Sequence, residues 1–322
     1  MPPEVMDTGE ELDREFRRAD LTALRRIFNR LADVANIGLP AIGALHTAVS
    51  LHPWSPATAD ILVPTGEGPY PVLVYLHGGA WVAGNPASHR KLTARFAAAG
   101  YLVISIDYRL APEHPFPAGL EDCVAAVRWA ASHARRFGGD PTRLVIGGDS
   151  AGANLAAATA LSLRRAIGAP RIHALMLIYG VFDMSDLGST AVSRFLHQAY
   201  LPGELVGLLE DARVSPIHAA HRLPPCFVVI GTRDTLLAQN RTLRDRLVAA
   251  GKPHVYIEEP GMPHGFMQME FLGGVRAIVE QATRYLNSHL PTDHESRLLR
   301  RLLRSWYHLA SRLHGAPARK FG

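Results

Sequence analysis

Cysteine is scarce in this chain: only Cys123 and Cys226 occur in 322 residues. Two thiols make no disulfide framework, and a reducing, cytoplasmic compartment is expected. Each is expected to behave as a small buried hydrophobe, Cys123 in a helix and Cys226 at a strand start. No apolar run is long enough to span a bilayer. Charged residues from Glu10 to Arg18 occupy the place where a secretory signal needs an apolar stretch, so none is expected. There is no H-E-x-x-H, and His218 and His221 lack a companion carboxylate or third ligand, so no metal is expected. The glycines near 78, 148 and 152 fit neither G-x-G-x-x-G nor a P-loop, and no cofactor is indicated. No basic surface with interleaved aromatics argues for nucleic acid as a partner.

A net charge of +5 is present, but it is uneven. Residues 295–322 hold seven Arg/Lys and one acid, which leaves a nearly neutral body. Hydrophobic residues make up 48% of the chain, enough for a large core. Apolar runs of strand length fall at Ala59–Val63, Val72–Leu76, Leu102–Ile106, Leu144–Ile146, Ala174–Tyr179, Phe227–Ile230 and Val255–Glu258, with another near His46–Leu51. Helical patterns alternate with them at Ser88–Ala99, Gly119–Phe137, Ala151–Ile167, Arg241–Ala250 and Val275–Leu290. Such alternation predicts an α/β fold: a mostly parallel sheet of about eight strands with helices on both faces. Ligands in such sheets bind beyond the carboxyl ends of the strands. Two helix-rich segments break the pattern, Asp7–Ala44 and Asp186–Leu209. Both are expected to lie over the strand ends as a cap. The expected organisation is an N-terminal cap segment over 1–50, a catalytic domain over 51–290 with an insertion at about 186–209, and a C-terminal extension over 291–322.

The sequence Gly148-Asp149-Ser150-Ala151-Gly152 stands between an apolar strand and an alanine-rich helix. By residue frequency alone, G-x-S-x-G arises in about one in ten chains of this length. Its context gives it meaning. A serine on a tight strand-to-helix turn projects its hydroxyl from the top of a sheet, and the helix N-terminus aims free N–H groups and a positive dipole end there. Three further features suit acyl transfer. The loop His77-Gly78-Gly79-Ala80-Trp81 follows a strand, and its small residues let N–H groups of Gly78, Gly79 and Ala80 face a ligand alongside that of Ala151. His264, in a loop shaped by Gly261, Pro263 and Gly265, follows the last strand and suits a general base. Asp234 lies beyond another strand end, between Ser150 and His264 in chain order, and suits the acid that holds the imidazole. Asp183 is its rival, since it too lies beyond a strand end. His77, His114 and His254 are read as structural, and Asp149 is expected to point away from the base.

These residues carry a resemblance. His77–Trp81, the run Asp107-Tyr108-Arg109-Leu110-Ala111-Pro112-Glu113-His114-Pro115-Phe116-Pro117-Ala118, Gly148–Gly152 and Met262-Pro263-His264-Gly265-Phe266 together resemble the hormone-sensitive-lipase-like branch of the α/β hydrolases, mostly bacterial carboxylesterases. The likeness covers about residues 58–290. It implies a Ser150–Asp234–His264 triad, an oxyanion hole from the Gly78-Gly79-Ala80 loop and Ala151, and a cap from the N-terminal helices and the 186–209 insertion. Three positions depart from the family pattern. Ala80 replaces the third glycine of the loop, Ala153 a frequent glycine, and Thr235 the proline that commonly follows the acid.

The expected reaction is hydrolysis of short- to medium-chain acyl esters through an acyl-enzyme. The alternatives are an arylformamidase or other amide hydrolase and, from another class, a non-catalytic small-molecule receptor. Trp81, Phe182, Phe195, Leu201 and Phe266 are expected either to line an apolar substrate pocket or to be core. At the C-terminus Leu298, Leu299, Leu302, Trp306, Leu309 and Leu313 recur at helical spacing opposite arginines. Such a basic amphipathic helix can touch an anionic membrane surface. Burial of its apolar face against its own domain, or against a second subunit in a homo-oligomer, is expected instead.

Overall fold

The computed structural model describes residues 8–51, 56–164, 166–187 and 191–292. The C-terminal amphipathic segment therefore lies outside the described residues. An N-terminal helix, α1 (Thr8–Ala35), leads into eight strands: β1 (Ala44–Ser50), β2 (Thr58–Val63), β3 (Tyr70–Leu76), β4 (Leu102–Asp107), β5 (Gly139–Asp149), β6 (Leu175–Ile178), β7 (Cys226–Gly231) and β8 (His254–Glu259). Between them lie α2 (Arg90–Ala98), α3 (Ala118–His133), α4 (Ala151–Leu163), α5 (Ala191–Tyr200) and α6 (Leu237–Ala249), and α7 (Val275–Ser288) follows the last strand. All eight expected strands are present in one sheet of order β1-β2-β4-β3-β5-β6-β7-β8. The two pairings at the β1 end are antiparallel and the rest are parallel. Parallel strands covered on both faces must be apolar throughout. Val72–Leu76 and Leu144–Ile146 are accordingly inaccessible to solvent.

Several boundaries differ from the sequence reading, each for a local reason. The strand expected at Leu144–Ile146 begins at Gly139, because Tyr70 and Pro71 of β3 pair with Gly139 and Asp140 before the register shifts at Val72. A Cβ on Gly139 would lie 2.5 Å from the Leu102 side chain, which would have to shift to admit one. Helix α6 begins at Leu237, four residues before the expected Arg241. The Asp234 carboxylate accepts the Leu236 N–H at 2.8 Å and the Asp234 carbonyl accepts that of Leu237, which starts the helix early.

Register places the chemistry. Leu76 pairs with Gly148, so the loop leaving β3 lies beside the turn leaving β5. Ile230 and Gly231 pair with Glu258 and Glu259, so the loops carrying Asp234 and His264 leave the sheet together. Both cysteines are buried, and burial pushes both thiols well above their ordinary range, up to about 12 for Cys226.

Candidate active site

Strand β5 ends at Asp149, and Ser150 turns the chain into α4 with φ 54° and ψ −120°. Such a conformation costs a non-glycine residue about 1–3 kcal/mol and needs surroundings that enforce it. The flanking glycines meet that need. A Cβ on Gly152 would sit 2.0 Å from the Leu76 carbonyl oxygen, and one on Gly148 would sit 2.5 Å from Gly152. The first turn of α4 therefore rests directly on the end of β3. The Ser150 N–H donates to the Ile178 carbonyl at 2.9 Å, which anchors the turn on its other side.

Asp234 and His264 are held by two loops sewn together. The Thr232 N–H donates to Glu259, the Arg233 N–H to Met262, and the Gly261 N–H to Thr232 Oγ1. A Cβ on Gly231 would lie 2.0 Å from the Met262 oxygen, so the loops touch backbone to backbone. His264 Nδ1 lies 2.8 Å from Asp234 Oδ2, and Nε2 lies 2.9 Å from Ser150 Oγ. An ionised carboxylate only accepts, so Nδ1 carries the proton and Nε2 is left to accept from the serine hydroxyl. Asp234 is buried while the His264 side chain is 40% exposed, so the base opens to solvent and its acid does not. Thr235, where the family pattern has proline, leaves this arrangement intact.

The rival acid is elsewhere. The Asp183 carboxylate accepts the Ser185 N–H at 3.0 Å and its hydroxyl at 2.5 Å. Its backbone N–H, with that of Phe182, is held by Gln239 of α6. His77 is structural, as read from its loop position. It is fully buried, stacks on Tyr108 with centroids 4.3 Å apart, and is pushed down to about 3 by burial and by the neighbouring His89.

The loop after β3 corrects one expectation. The Gly78 N–H does not face the serine. It donates to Asp149 Oδ1 at 3.0 Å, with His89 Nε2 3.3 Å away, so the first of the three expected donors is already taken. The Gly79 and Ala80 N–H groups, and that of Ala151, have no acceptor among the described residues. Gly79 at φ 126° needs glycine, since a Cβ there would meet the Ala83 oxygen at 2.1 Å. Ala80 and Trp81 follow at φ 53° and 62°.

Four of the five expected pocket residues are buried. Phe182 and Phe266 show no accessible surface, and Leu201 and Trp81 show almost none. The Trp81 ring stacks on Tyr200 at 4.5 Å, joining the glycine loop to the end of α5. Phe266 packs edge-on against Tyr179. These are contacts between elements, and Phe195 alone of the five is partly exposed.

Sequence reasoning missed a staple from the N-terminal helix. Arg25 of α1 donates to the Val82 and Ala111 carbonyls and forms a two-pronged pair with Glu113 at 2.8 and 2.7 Å. An arginine inside an amphipathic helix carries no local mark of a partner 88 residues away. It missed equally that Asp149 organises buried polar groups beneath the glycine loop, since neither His89 nor Tyr75 lies near it in sequence.

A family model described as the α/β hydrolase fold matches residues 73–268. This chain belongs to the α/β-hydrolase family. Within it, the chain falls in the hormone-sensitive-lipase-like branch. This hydrolase is 35% identical over 231 residues to a carboxylesterase, NlhH, of Mycobacterium tuberculosis, covering 66% of this chain and 69% of that one. An acetyl-hydrolase of Streptomyces hygroscopicus is 32% identical over 268 residues, with 79% and 85% covered. Among solved structures, an ester hydrolase from the metagenome of Lake Arreo superposes with a TM-score of 0.74 at 33% identity, covering 82% of this chain and 89% of that one. The hydrolase is thus a carboxylic ester hydrolase.

Proposed function

We propose that this hydrolase cleaves esters of short acyl groups through an acyl-enzyme on Ser150. The observation that carries the reading is the hydrogen-bonded line from Ser150 through His264 to Asp234, together with three N–H groups, of Gly79, Ala80 and Ala151, that have no acceptor among the described residues. Ser150 Oγ attacks the ester carbonyl as its proton passes to His264 Nε2, forming the Oγ–C bond. The carbonyl oxygen gains the charge and is met by the N–H groups of Gly79, Ala80 and Ala151. Collapse breaks the bond to the leaving oxygen, which takes the proton from Nε2. Water then attacks the acyl-enzyme by the same route, releasing the acid and restoring the serine.

A short acyl group is supported by the enclosure of Phe182, Leu201 and Phe266, which leaves no exposed apolar tunnel among those positions. The names of two similar proteins, an acetyl-hydrolase and an acetyl esterase, point the same way. The docking of α1 through Arg25, and of the end of α5 through Tyr200, supports a lid over the strand ends made by α1 and residues 191–209.

The test is an acyl-chain series of p-nitrophenyl esters, with an arylformamide beside it. Turnover is expected to be fastest with acetyl to butyryl esters. Ser150→Ala is expected to lower kcat by at least about 10⁴-fold with an unchanged melting curve. A folded Ser150→Ala protein with full activity would remove the serine mechanism, and faster turnover of the arylformamide would reassign the substrate.

A further inference from the structure

We propose that Asp149 is a positioning residue for the oxyanion hole: it captures the Gly78 N–H and thereby aims the next two N–H groups at the substrate oxygen. The inference rests on the serine-esterase reading above.

Asp149 precedes the nucleophile, yet its side chain turns away from His264 and into the core, where it is 3% exposed. Oδ1 accepts the Tyr75 hydroxyl at 2.7 Å and the Gly78 N–H at 3.0 Å. Oδ2 lies 3.3 Å from His89 Nε2, and the other nitrogen of that ring lies 2.8 Å from Ser88 Oγ. Burial by itself raises a carboxyl group, but His89, Tyr75 and His77 outweigh it, and Asp149 is held below its ordinary range. A charge is thus kept in the interior, where its hydrogen bonds are strong. A buried charge this well surrounded is costly unless every partner is in place, so the site has a defined geometry.

What that geometry controls is the backbone after β3. Once the Gly78 N–H turns inward to Asp149, the chain passes through three positive φ values in succession, at Gly79, Ala80 and Trp81. The Gly79 carbonyl, in return, accepts from Val82 and Ala83 at 3.0 and 2.9 Å. A loop in this conformation is strained at Ala80 and Trp81 and persists only while it is held at both ends. Asp149 holds the entry. Arg25 on Val82, and Ala111 on Trp81, hold the exit. Because Asp149 also adjoins Ser150 in the chain, one residue ties the oxyanion donors to the nucleophile they must serve. The sequence motif shows the serine. It does not show that its neighbour sets the distance to the oxyanion site.

The experiment compares Asp149→Ala with Asp149→Asn in the full chain, using p-nitrophenyl acetate and a thermal melt for each. The amide oxygen of asparagine still accepts the Gly78 N–H, whereas alanine leaves it only the longer contact to His89 Nε2 at 3.3 Å. Asp149→Ala is expected to lower kcat about 10²-fold, the effect of losing one oxyanion donor. KM should stay within threefold, and the acidic limb of the pH–rate profile should not move, since His264 and Asp234 are untouched. Asp149→Asn is expected to recover at least tenfold of that loss. If Asp149→Ala does not melt cooperatively, Asp149→Val, which suits a strand end and lacks the acceptor, takes its place. Activity within a few-fold of wild type in the alanine or valine protein would overturn the proposal. So would a folded asparagine protein as slow as alanine, or a loss carried by KM. A wild-type protein that turns over no ester would instead remove the underlying reading, and that result is seen before any variant is made.

Discussion

At the scale of single residues, the acid is the sharpest case. Asp234 and Asp183 both follow strands, and both use the carboxylate to start a helical turn, accepting an N–H two residues on. Asp234 accepts that N–H on Oδ1 and meets His264 with Oδ2, whereas Asp183 accepts both the N–H and the hydroxyl of Ser185 on Oδ1. Asp234→Asn is therefore expected to lower kcat by about 10⁴-fold, because an amide facing Nδ1 favours the wrong imidazole tautomer. Asp183→Asn should remain within a few-fold of wild type. Steady-state kinetics on p-nitrophenyl acetate compare them directly, and the opposite ranking would exchange the two assignments. The same scale explains what chain order conveys. Ser150, Asp234 and His264 were legible as a set because each follows a strand end in the order of the family motif. The taken N–H of Gly78 was not legible, since nothing in H-G-G-A-W says which of three adjacent amides turns inward.

At the scale of elements, the decisive feature is the contact of α4 with β3. The two are joined by close approach at Gly152, where no side chain fits. Gly152→Ala forces the first helical turn away from Leu76, carrying Ser150 and the Ala151 N–H with it. We expect at least a 10²-fold loss of kcat, since a shift of about 1 Å at a reacting group has that effect. Destabilisation of about 1–3 kcal/mol, the usual cost of overpacking, should accompany it. Urea denaturation and kinetics on the same preparation test both, and a fully active Gly152→Ala would refute the close-contact argument. Element boundaries were the weaker part of the sequence reading. The early start of β5 depends on the pairing of Gly139 with Tyr70, distant in sequence, whereas that of α6 depends on a local cap, the Asp234 carboxylate two residues before Leu236.

At the scale of the whole molecule, buried and clustered charge sets the response to acid. His77 is held neutral down to about 3, so the unfolded chain takes up a proton below its ordinary value near 6.5 and the native state does not. Stability is then complete above about 6.5 and falls as pH drops toward 3, by up to about 1.4 kcal/mol per pH unit from this group. Glu270 adds a second phase. Burial by itself would raise it, but Arg276, Lys91 and Arg95 together hold it down to about 2. Its contribution is present above about 4.5 and is lost between there and 2. Glu270 lies six residues after His264 and ties that loop to α2 and α7 at 2.6–3.0 Å. The urea midpoint is expected to fall from pH 7 to pH 5 and more steeply below 4.5. A midpoint that does not move between pH 7 and 5 would contradict a neutral, buried His77.

The sequence by itself determined the class of fold and the kind of chemistry. Alternating strand and helix patterns are a local property of the chain, and apolar runs bounded by Gly and Pro can be read without knowing what they touch. The order Ser150, Asp234, His264 is likewise written in one dimension. Only the tertiary structure decided which atoms meet. Parallel pairing of β3 with β5, and of β7 with β8, brings residues 71 to 114 positions apart within hydrogen-bonding distance. It also turned Trp81, Phe182 and Phe266 into core contacts and gave Asp149 its place beneath the glycine loop. Burial and hydrogen-bond direction are properties of the packed interior, and a buried carboxylate takes its role from the donors that surround it.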